Sequence, residues 1–237
     1  MIRQRPLALT AATIAFTVVA AGFGLATPQR AEAAAPPTVD PVIEWNRTLL
    51  QLIRTPGVQP ATVHPTRNLA IMHLAIYDAV DAIERIGAPY AKGIAAGKHA
   101  SAVAAADQAA HDTLVALYPT HQADLDSELR DDLTKIRNSS AERQGIAIGK
   151  ASAKAIMTMR TGGGSDASPP QLTPGTTPGS YRPTPPNFVP PVFTHWPKVT
   201  PFALNRANQF RPGKPPALTS ATYIAALQEV QHDLQLR

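Results

Sequence analysis

His73, Tyr77 and Asp81 follow one another at intervals of four residues, with Asp78 beside them. On a helix this spacing places side chains on one face. A histidine and carboxylates in such a row can perform acid–base chemistry or hold a metal ion. One helix supplies too few converging ligands for a metal, so we expect a network of hydrogen bonds between helices instead.

Asp107 and His111 share the spacing of a metal-binding pair on a helix. No glutamate stands between them and no third ligand is near in sequence, so the pattern is much weaker than the His-Glu-x-x-His motif. We interpret the pair as a chance placement on a helix, and the sequence assigns no metal-binding residue.

Four arginines could each contribute to an anion site. Arginines more often bond to the carbonyl groups at a helix end, pair with carboxylates or lie in solvent. The four are Arg67, Arg160, Arg206 and Arg211.

No serine has the surroundings of a nucleophile. Ser139 and Ser140 precede a helix, but no Gly-x-Ser-x-Gly elbow surrounds them or any other serine. The glycines at 162–164 follow a helical segment, so they indicate a helix stop rather than a phosphate-binding loop. The sequence assigns no catalytic and no cofactor-binding residue.

The elements that position these side chains are predicted to be helices, which gives an all-α fold: a helical bundle with a long proline-rich irregular arm. Asp40 and Pro41 begin the first helix, and the second runs from about Pro65 to Ile86. Further helices are predicted over 101–117, around 124–136 and from the capping box of Ser139 and Glu142. Six apolar residues are expected to be buried: Leu69, Met72, Ile76, Leu129, Leu133 and Ile156.

Gly145, Gly149 and Ala153 stand four residues apart in the fifth predicted helix. Small residues in a row allow close approach, so we expect this face to lie against another helix. A last helix is capped by Thr219 or Ser220 and presents an apolar stripe of Tyr223, Leu227, Val230 and Leu234.

The segment 165–216 contains 14 of the 24 prolines of the chain. Proline lacks a backbone donor, so neither helices nor central strands are expected there. We interpret the segment as an arm packed on the bundle because aromatic residues at this density usually dock. They are Tyr181, Phe188, Phe193, Trp196, Phe202 and Phe210.

The first 33 residues have the order of a secretory signal peptide: basic Arg3 and Arg5, an apolar run over 7–25 and the small-x-small site at 31–33. An uncleaved membrane anchor is the alternative. The predicted organisation is a signal peptide at 1–33, a bundle at 34–164, the arm at 165–216 and a terminal helix at 217–237. A secreted protein with no stable membrane span after cleavage is expected.

Composition limits the classes of partner. The net charge of +5 falls to +3 once the charged residues of 1–33 are removed, and a mild excess spread over many helices does not indicate nucleic-acid binding. The chain has no cysteine, so disulfides and thiolate chemistry are excluded.

The order of several passages resembles the bacterial vanadium-dependent haloperoxidases, which belong with the type-2 phosphatidic acid phosphatases. The resemblance covers about Pro41 to Val230. It is carried by Trp45-Asn46, the run from Arg67 to Val80, Leu117-Tyr118-Pro119, 145–149, Pro178-Gly179, Trp196, Pro201-Phe202, 209–212, Pro215-Pro216, Ser220, Tyr223 and Glu229-Val230.

The resemblance implies the front half of such a protein. Vanadate, the cofactor of the full-length family, is held in the other half by a Lys-x6-Arg-Pro segment, a Pro-Ser-Gly-His segment and a Ser-Arg-x5-His segment. Here Arg182-Pro183 has Gly175 in place of the lysine, Arg211-Pro212 has Leu204, and the other two segments are absent. No cofactor and no turnover are therefore expected from this chain alone.

Three functions follow as expectations. The first is a haloperoxidase-like or phosphatase-like protein that lacks its catalytic half and self-associates. The second is one half of a split enzyme, completed by a partner chain in trans. The third is an independent extracellular binding or interaction module.

Overall fold

Six α-helices and no strand are present in the computed structural model, which describes residues 40–60, 63–95, 97–137 and 139–235. The prediction of an all-α fold is confirmed. The predicted signal peptide lies outside the described residues. The helices are α1 (Pro41–Arg54), α2 (Val63–Glu84), α3 (Ala102–Leu117), α4 (Gln122–Thr134), α5 (Ser140–Arg160) and α6 (Ala221–Gln235).

The helix ends follow the capping residues of the sequence. The Asp40 carboxylate accepts a hydrogen bond from the Val42 amide at 2.8 Å. Ser139 and Glu142 form both bonds of the predicted capping box. At α6 the cap is Ser220, whose hydroxyl accepts from the Tyr223 amide at 3.2 Å. The second helix ends two residues before the predicted Ile86, because Arg85 takes a positive φ of 56° and breaks the helical path.

The core of the bundle surrounds α3, which packs against α1, α2, α4 and α5. One apolar cluster joins α1, α2, α3 and α4, and a second joins α2, α3 and α5. Met72, Ile76, Leu129 and Ile156 are buried as predicted. The prediction is wrong for Leu69 and Leu133, which are half-buried because they pack on the margin of the first cluster rather than inside it.

The row of small residues on α5 lies against α3, as predicted. A Cβ atom added at Gly149 would stand 2.5 Å from the Ala105 carbonyl oxygen and 3.0 Å from the Ala109 amide nitrogen. Gly145 meets the backbone of Ser101 and Ala105 in the same way. The two helix backbones are therefore as close as glycine allows.

The arm is irregular, apart from a 3-10 turn at Trp196–Lys198. Phe202 packs against the second core cluster, and the rings of Phe193 and Trp196 pack against His64 of α2. The expectation that the arm's aromatic residues dock is wrong for Tyr181, Phe188 and Phe210, which are exposed. Those three lie in turns closed by hydrogen bonds within the arm itself, such as Phe188 amide to Thr184 carbonyl at 3.0 Å.

The last helix differs from the other five. Within the described part of the chain, α6 packs against no other helix and has no buried residue. Tyr223 of its predicted apolar stripe is half-buried, and the other three residues are exposed, from 44% at Leu227 to 68% at Leu234. No helix among the described residues has both the length and the apolar character needed to cross a bilayer.

Candidate functional site

The row of polar residues on α2 holds the loop that follows this helix. Asp78 accepts hydrogen bonds from the Tyr90 and Ala91 amides, each at 2.7 Å. Asp81 accepts from the Gly87 amide at 2.7 Å, and the Tyr77 hydroxyl donates to the Ala88 carbonyl at 3.0 Å. The expected network between helices is therefore wrong for these three side chains, because the loop that follows α2 lies against them and its backbone groups are their partners.

His73 is the member of the row that does bond to another helix. Its Nε2 lies 3.1 Å from Asn46 Oδ1 on α1. Burial lowers the pKa of His73, which favours the neutral imidazole. The four residues of the row have structural roles. His73 contacts α1, and the other three bond to the loop that follows α2.

The Asp107 carboxylate bonds to α1. Its Oδ1 accepts a hydrogen bond from Trp45 Nε1 at 3.0 Å, and the residue is 2% exposed. Burial raises the pKa of Asp107 to about 7, against the opposing effect of the Trp45 hydrogen bond. Asp132 and Glu44 add to the increase by repulsion.

His111 joins α3 to α4. Its Nδ1 lies 2.8 Å from Asp112 Oδ1, and its Nε2 lies 2.8 Å from Asp126 Oδ1. Burial opposes the charged form, but the hydrogen bonds and charges of the two carboxylates outweigh it and raise the pKa of His111. Asp107 and His111 thus have separate partners. No group of three or more metal-ligating side chains is arranged for a metal within the described ranges.

A cluster of basic side chains lies where the arm meets the first turn of α2 and the last turn of α5. We call it the arginine corner and define it as His64, Arg67, Arg160 and His195. Burial lowers the pKa of both His64 and Arg67, and the exposed Asp166 carboxylate opposes this change in both. Smaller decreases come from Arg67 and His195 on the pKa of His64, and from Arg160 on the pKa of Arg67. The corner brings together two of the four arginines singled out in the sequence.

Arg160 is a buried cation, 8% exposed, at the last position of α5. Its Nη1 donates to the Pro201 carbonyl at 3.2 Å and to that of Thr200 at 3.4 Å, and its Nη2 donates to the Tyr90 hydroxyl at 3.0 Å. The guanidinium lies over the Phe202 ring, 4.5 Å from its centroid. Arg160 therefore fastens the arm to the bundle.

Arg67 is half-buried and has fewer partners. Its Nη2 donates to the Arg160 carbonyl at 3.5 Å. It lines an open groove of about 420 Å³ between α2 and the arm. The groove is also lined by Thr66, Ala70, Trp196, Val199, Thr200, Pro201, Phe202, Leu204 and Ala207.

A second groove, of about 470 Å³, lies between α1 and α4 and carries the opposite charge. It is lined by Glu44, Arg47, Thr48, Ser127, Glu128, Asp131, Asp132 and Lys135. Lys135 donates to Asp132 at 2.7 Å, and Thr48 donates to Glu128 at 2.6 Å. Lys135 pairs with Asp132 and lies 4.0 Å from Glu44, so the groove keeps an excess of carboxylates.

The other predicted candidates lie apart from the corner. Arg206 and Arg211 are exposed in the arm, and Ser139 is a helix cap. Sequence reasoning missed His64, Tyr90 and His195. The adjacent pair His195-Trp196 in a proline-rich segment was the available signal, because aromatic residues there mark where the arm docks.

One solved structure matches over most of the chain. A bacterial vanadium-dependent iodoperoxidase shares 24% sequence identity, and its superposition has a TM-score of 0.58. The match covers 85% of this chain and 53% of that chain, so this chain spans about half the length of the iodoperoxidase. The similarity shows a common helical fold. Neither the family models nor the curated protein sequences give a match.

The described residues do not fit vanadate, the cofactor of the family that the sequence resembles. A tetrahedral oxyanion of high charge needs several converging cationic donors. In the arginine corner, Arg160 is committed to backbone carbonyls and to Tyr90, and His195 Nε2 lies 3.0 Å from the Ser165 carbonyl. Arg67 alone among the groove-lining residues is cationic.

Proposed function

We propose that this chain is the N-terminal helical portion of a secreted protein similar to the vanadium-dependent haloperoxidases and related acid phosphatases. In this proposal the described residues do not form the anion-binding catalytic half, and they have no turnover alone. The observation that carries the proposal is the extent of the structural match, which takes in 85% of this chain and only 53% of the iodoperoxidase. The ordered passages of the sequence, from Pro41 to Val230, agree with that extent.

The exposed stripe of α6 supports a second half that packs on this chain. Isolated soluble domains rarely leave a contiguous row of large apolar side chains in water. Ile224, Leu227, Val230 and Leu234 are all exposed on α6. In this proposal α6 belongs to the contact with the catalytic half, whether that half is on the same polypeptide or on a partner chain.

Turnover measurements test the proposal directly. The purified chain is assayed for iodide and bromide oxidation with hydrogen peroxide, and for hydrolysis of p-nitrophenyl phosphate, with and without added vanadate. We expect no rate above background, because Arg67 is the only basic residue of the arginine corner that lines an open groove. Turnover by the monomer, or tight vanadate binding in calorimetry, contradicts the proposal.

A complementation experiment tests the same proposal through a gain of activity. A second chain that carries the Pro-Ser-Gly-His and Ser-Arg-x5-His segments is co-expressed, and activity is expected to appear. Leu227→Glu should abolish this rescue by placing a charge in the contact. Gln228→Glu adds the same charge beside it, at an exposed polar position, and is expected to leave the rescue intact.

Secretion is part of the proposal and rests on the basic, apolar and Ala-x-Ala order of residues 1–33. The mature chain is expected to begin near Ala34. Mass spectrometry that finds Met1 retained on membrane-bound protein contradicts cleavage.

A further inference from the structure

The groove beside Arg67 combines an apolar wall with a single half-buried cation. Trp196, Val199, Pro201, Phe202 and Leu204 supply the wall from the arm, and Ala70 supplies it from α2. Its volume of about 420 Å³ lies within the range of small-molecule sites, about 300–1,000 Å³. A groove of this composition suits a ligand with one charged end and an apolar body.

The positive charge at the groove has no ion-pair partner. Within the described ranges, no carboxylate lies within 4.0 Å of Arg67 or Arg160. Asp166 is exposed and acts on Arg67 only at longer range. Buried cations in proteins are normally paired with an anion. Asp166 stabilises the charge of Arg67 from a distance, ahead of the opposing effect of Arg160, but no carboxylate of the described residues occupies the hydrogen-bonding positions of the Arg67 guanidinium.

Arg67 is the arginine that a ligand can reach. Arg160 is nearly enclosed and its Nη atoms already donate to carbonyls and to Tyr90. Arg67 lines the groove and makes one long hydrogen bond, so most of its five donors remain available to a ligand. Burial of Arg67 strengthens its attraction for an anion because there is less water to screen the charge.

We propose that this groove binds a small amphipathic anion, with its acidic head group on Arg67 and its apolar body against Trp196 and Phe202. The site is independent of the catalytic half and needs only α2, the end of α5 and the arm. A single guanidinium matches a carboxylate or a phosphate monoester, because one planar fork can hold two oxygens. It does not supply the several donors that a bare tetrahedral oxyanion of high charge requires.

Calorimetry on the full chain tests the site with three probes. Hexanoate carries both the charge and the apolar body, hexanamide carries only the body, and acetate carries only the charge. We expect saturable 1:1 binding of hexanoate and at least about tenfold weaker binding of the other two. Hexanamide loses the hydrogen bond between charged groups, and acetate loses the methylene groups that are buried against the apolar wall, each worth about 0.8 kcal/mol. Hexyl phosphate in a parallel titration identifies the preferred head group, and tight saturable binding of either anion supports the site.

Variants locate the binding. Arg67→Gln is expected to weaken hexanoate binding at least about tenfold, again from the loss of a charged hydrogen bond. Arg211→Gln removes an exposed arginine of the same arm and is expected to change nothing. If Arg67→Gln is unfolded by circular dichroism, Ala70→Leu replaces it, because the larger side chain fills the groove from α2 and leaves Arg67 in place.

Three results overturn the proposal. The first is no saturable binding of either hexanoate or hexyl phosphate by the wild-type chain. The second is equal binding of hexanoate and hexanamide. The third is hexanoate affinity that a folded Arg67→Gln or Ala70→Leu variant leaves unchanged.

Discussion

The contact between α3 and α5 and the surface of α6 place apolar residues in opposite situations. At the first, small residues are completely buried: Ala104, Ala105 and Ala109 are each 0% exposed. At the second, large residues such as Leu227 and Val230 are 44% and 57% exposed. The presence of apolar side chains therefore does not by itself determine whether a helix face is buried. The α3–α5 contact is closed because glycines let two backbones approach, whereas α6 has no neighbour among the described elements.

The largest effect is expected where that contact is tightest. Gly149→Leu should lower the free energy of unfolding by about 3 kcal/mol, the upper end for overpacking, because the added atoms meet the α3 backbone. Denaturant unfolding measures the change. Gly213→Leu in the arm is the control: a Cβ there meets nothing within 4 Å, so a change within about 0.5 kcal/mol is expected. Equal losses in both variants would show that the contact is not closely packed.

A smaller effect is expected from the buried carboxyl of Asp107. Its folded-state pKa of about 7 lies above its unfolded value, so the folded chain holds the proton more tightly. Stability should therefore fall as pH rises from about 4 to 7. Asp107→Asn stays neutral and can still accept from Trp45, so it should be more stable than the wild type at pH 8 by about 1–2 kcal/mol.

Unfolding curves at pH 5 and pH 8 check the Asp107 prediction. The raised pKa of His111 also reduces stability as pH increases, but it does so equally in both proteins, so the difference between them isolates Asp107. Asp131→Asn, an exposed position on α4, should follow the wild type at both pH values. Parallel curves for the wild type and Asp107→Asn would show that Asp107 ionises normally.

The smallest effect on stability is expected on α6. Leu227→Glu should change the free energy of unfolding by no more than about 0.5 kcal/mol because the side chain contacts no other helix. The same substitution is expected to reduce self-association, because exposed apolar patches favour association and the added charge interrupts this one. Sedimentation velocity measures the association, with Gln228→Glu as the charge-matched control. A marked loss of stability would mean that α6 packs on the bundle.

The sequence predicted the helices well because their signals are local. The capping box of Ser139 and Glu142 involves residues three positions apart, and the glycine row of α5 has the spacing of one helix face. The sequence did not predict how far Leu69 and Leu133 are buried, because their burial depends on which helix covers them. Periodicity identifies a face but not its position within a cluster.

The candidate site was less predictable because its contacts join distant residues. Arg160 bonds to the Pro201 carbonyl 41 residues later, and the Tyr90 hydroxyl donates to the Phe202 carbonyl 112 residues later. No local pattern reports such pairs. The arginines were visible in the sequence as possible anion ligands, but only the structure shows that two of them meet and that one is already bonded to the arm.

The attachment of the arm through Arg160 has a consequence for the order of folding. The helices α1 to α5 can pack through contacts among themselves, whereas Arg160 finds Thr200 and Pro201 only when the arm has been synthesised. At a synthesis rate of about 5–20 residues per second, those carbonyls are added to the chain on the order of seconds after Arg160. Before the arm packs on the bundle, the Arg160 guanidinium is hydrated at the C-terminal end of α5. Packing of the arm is therefore the step that removes this charge from water.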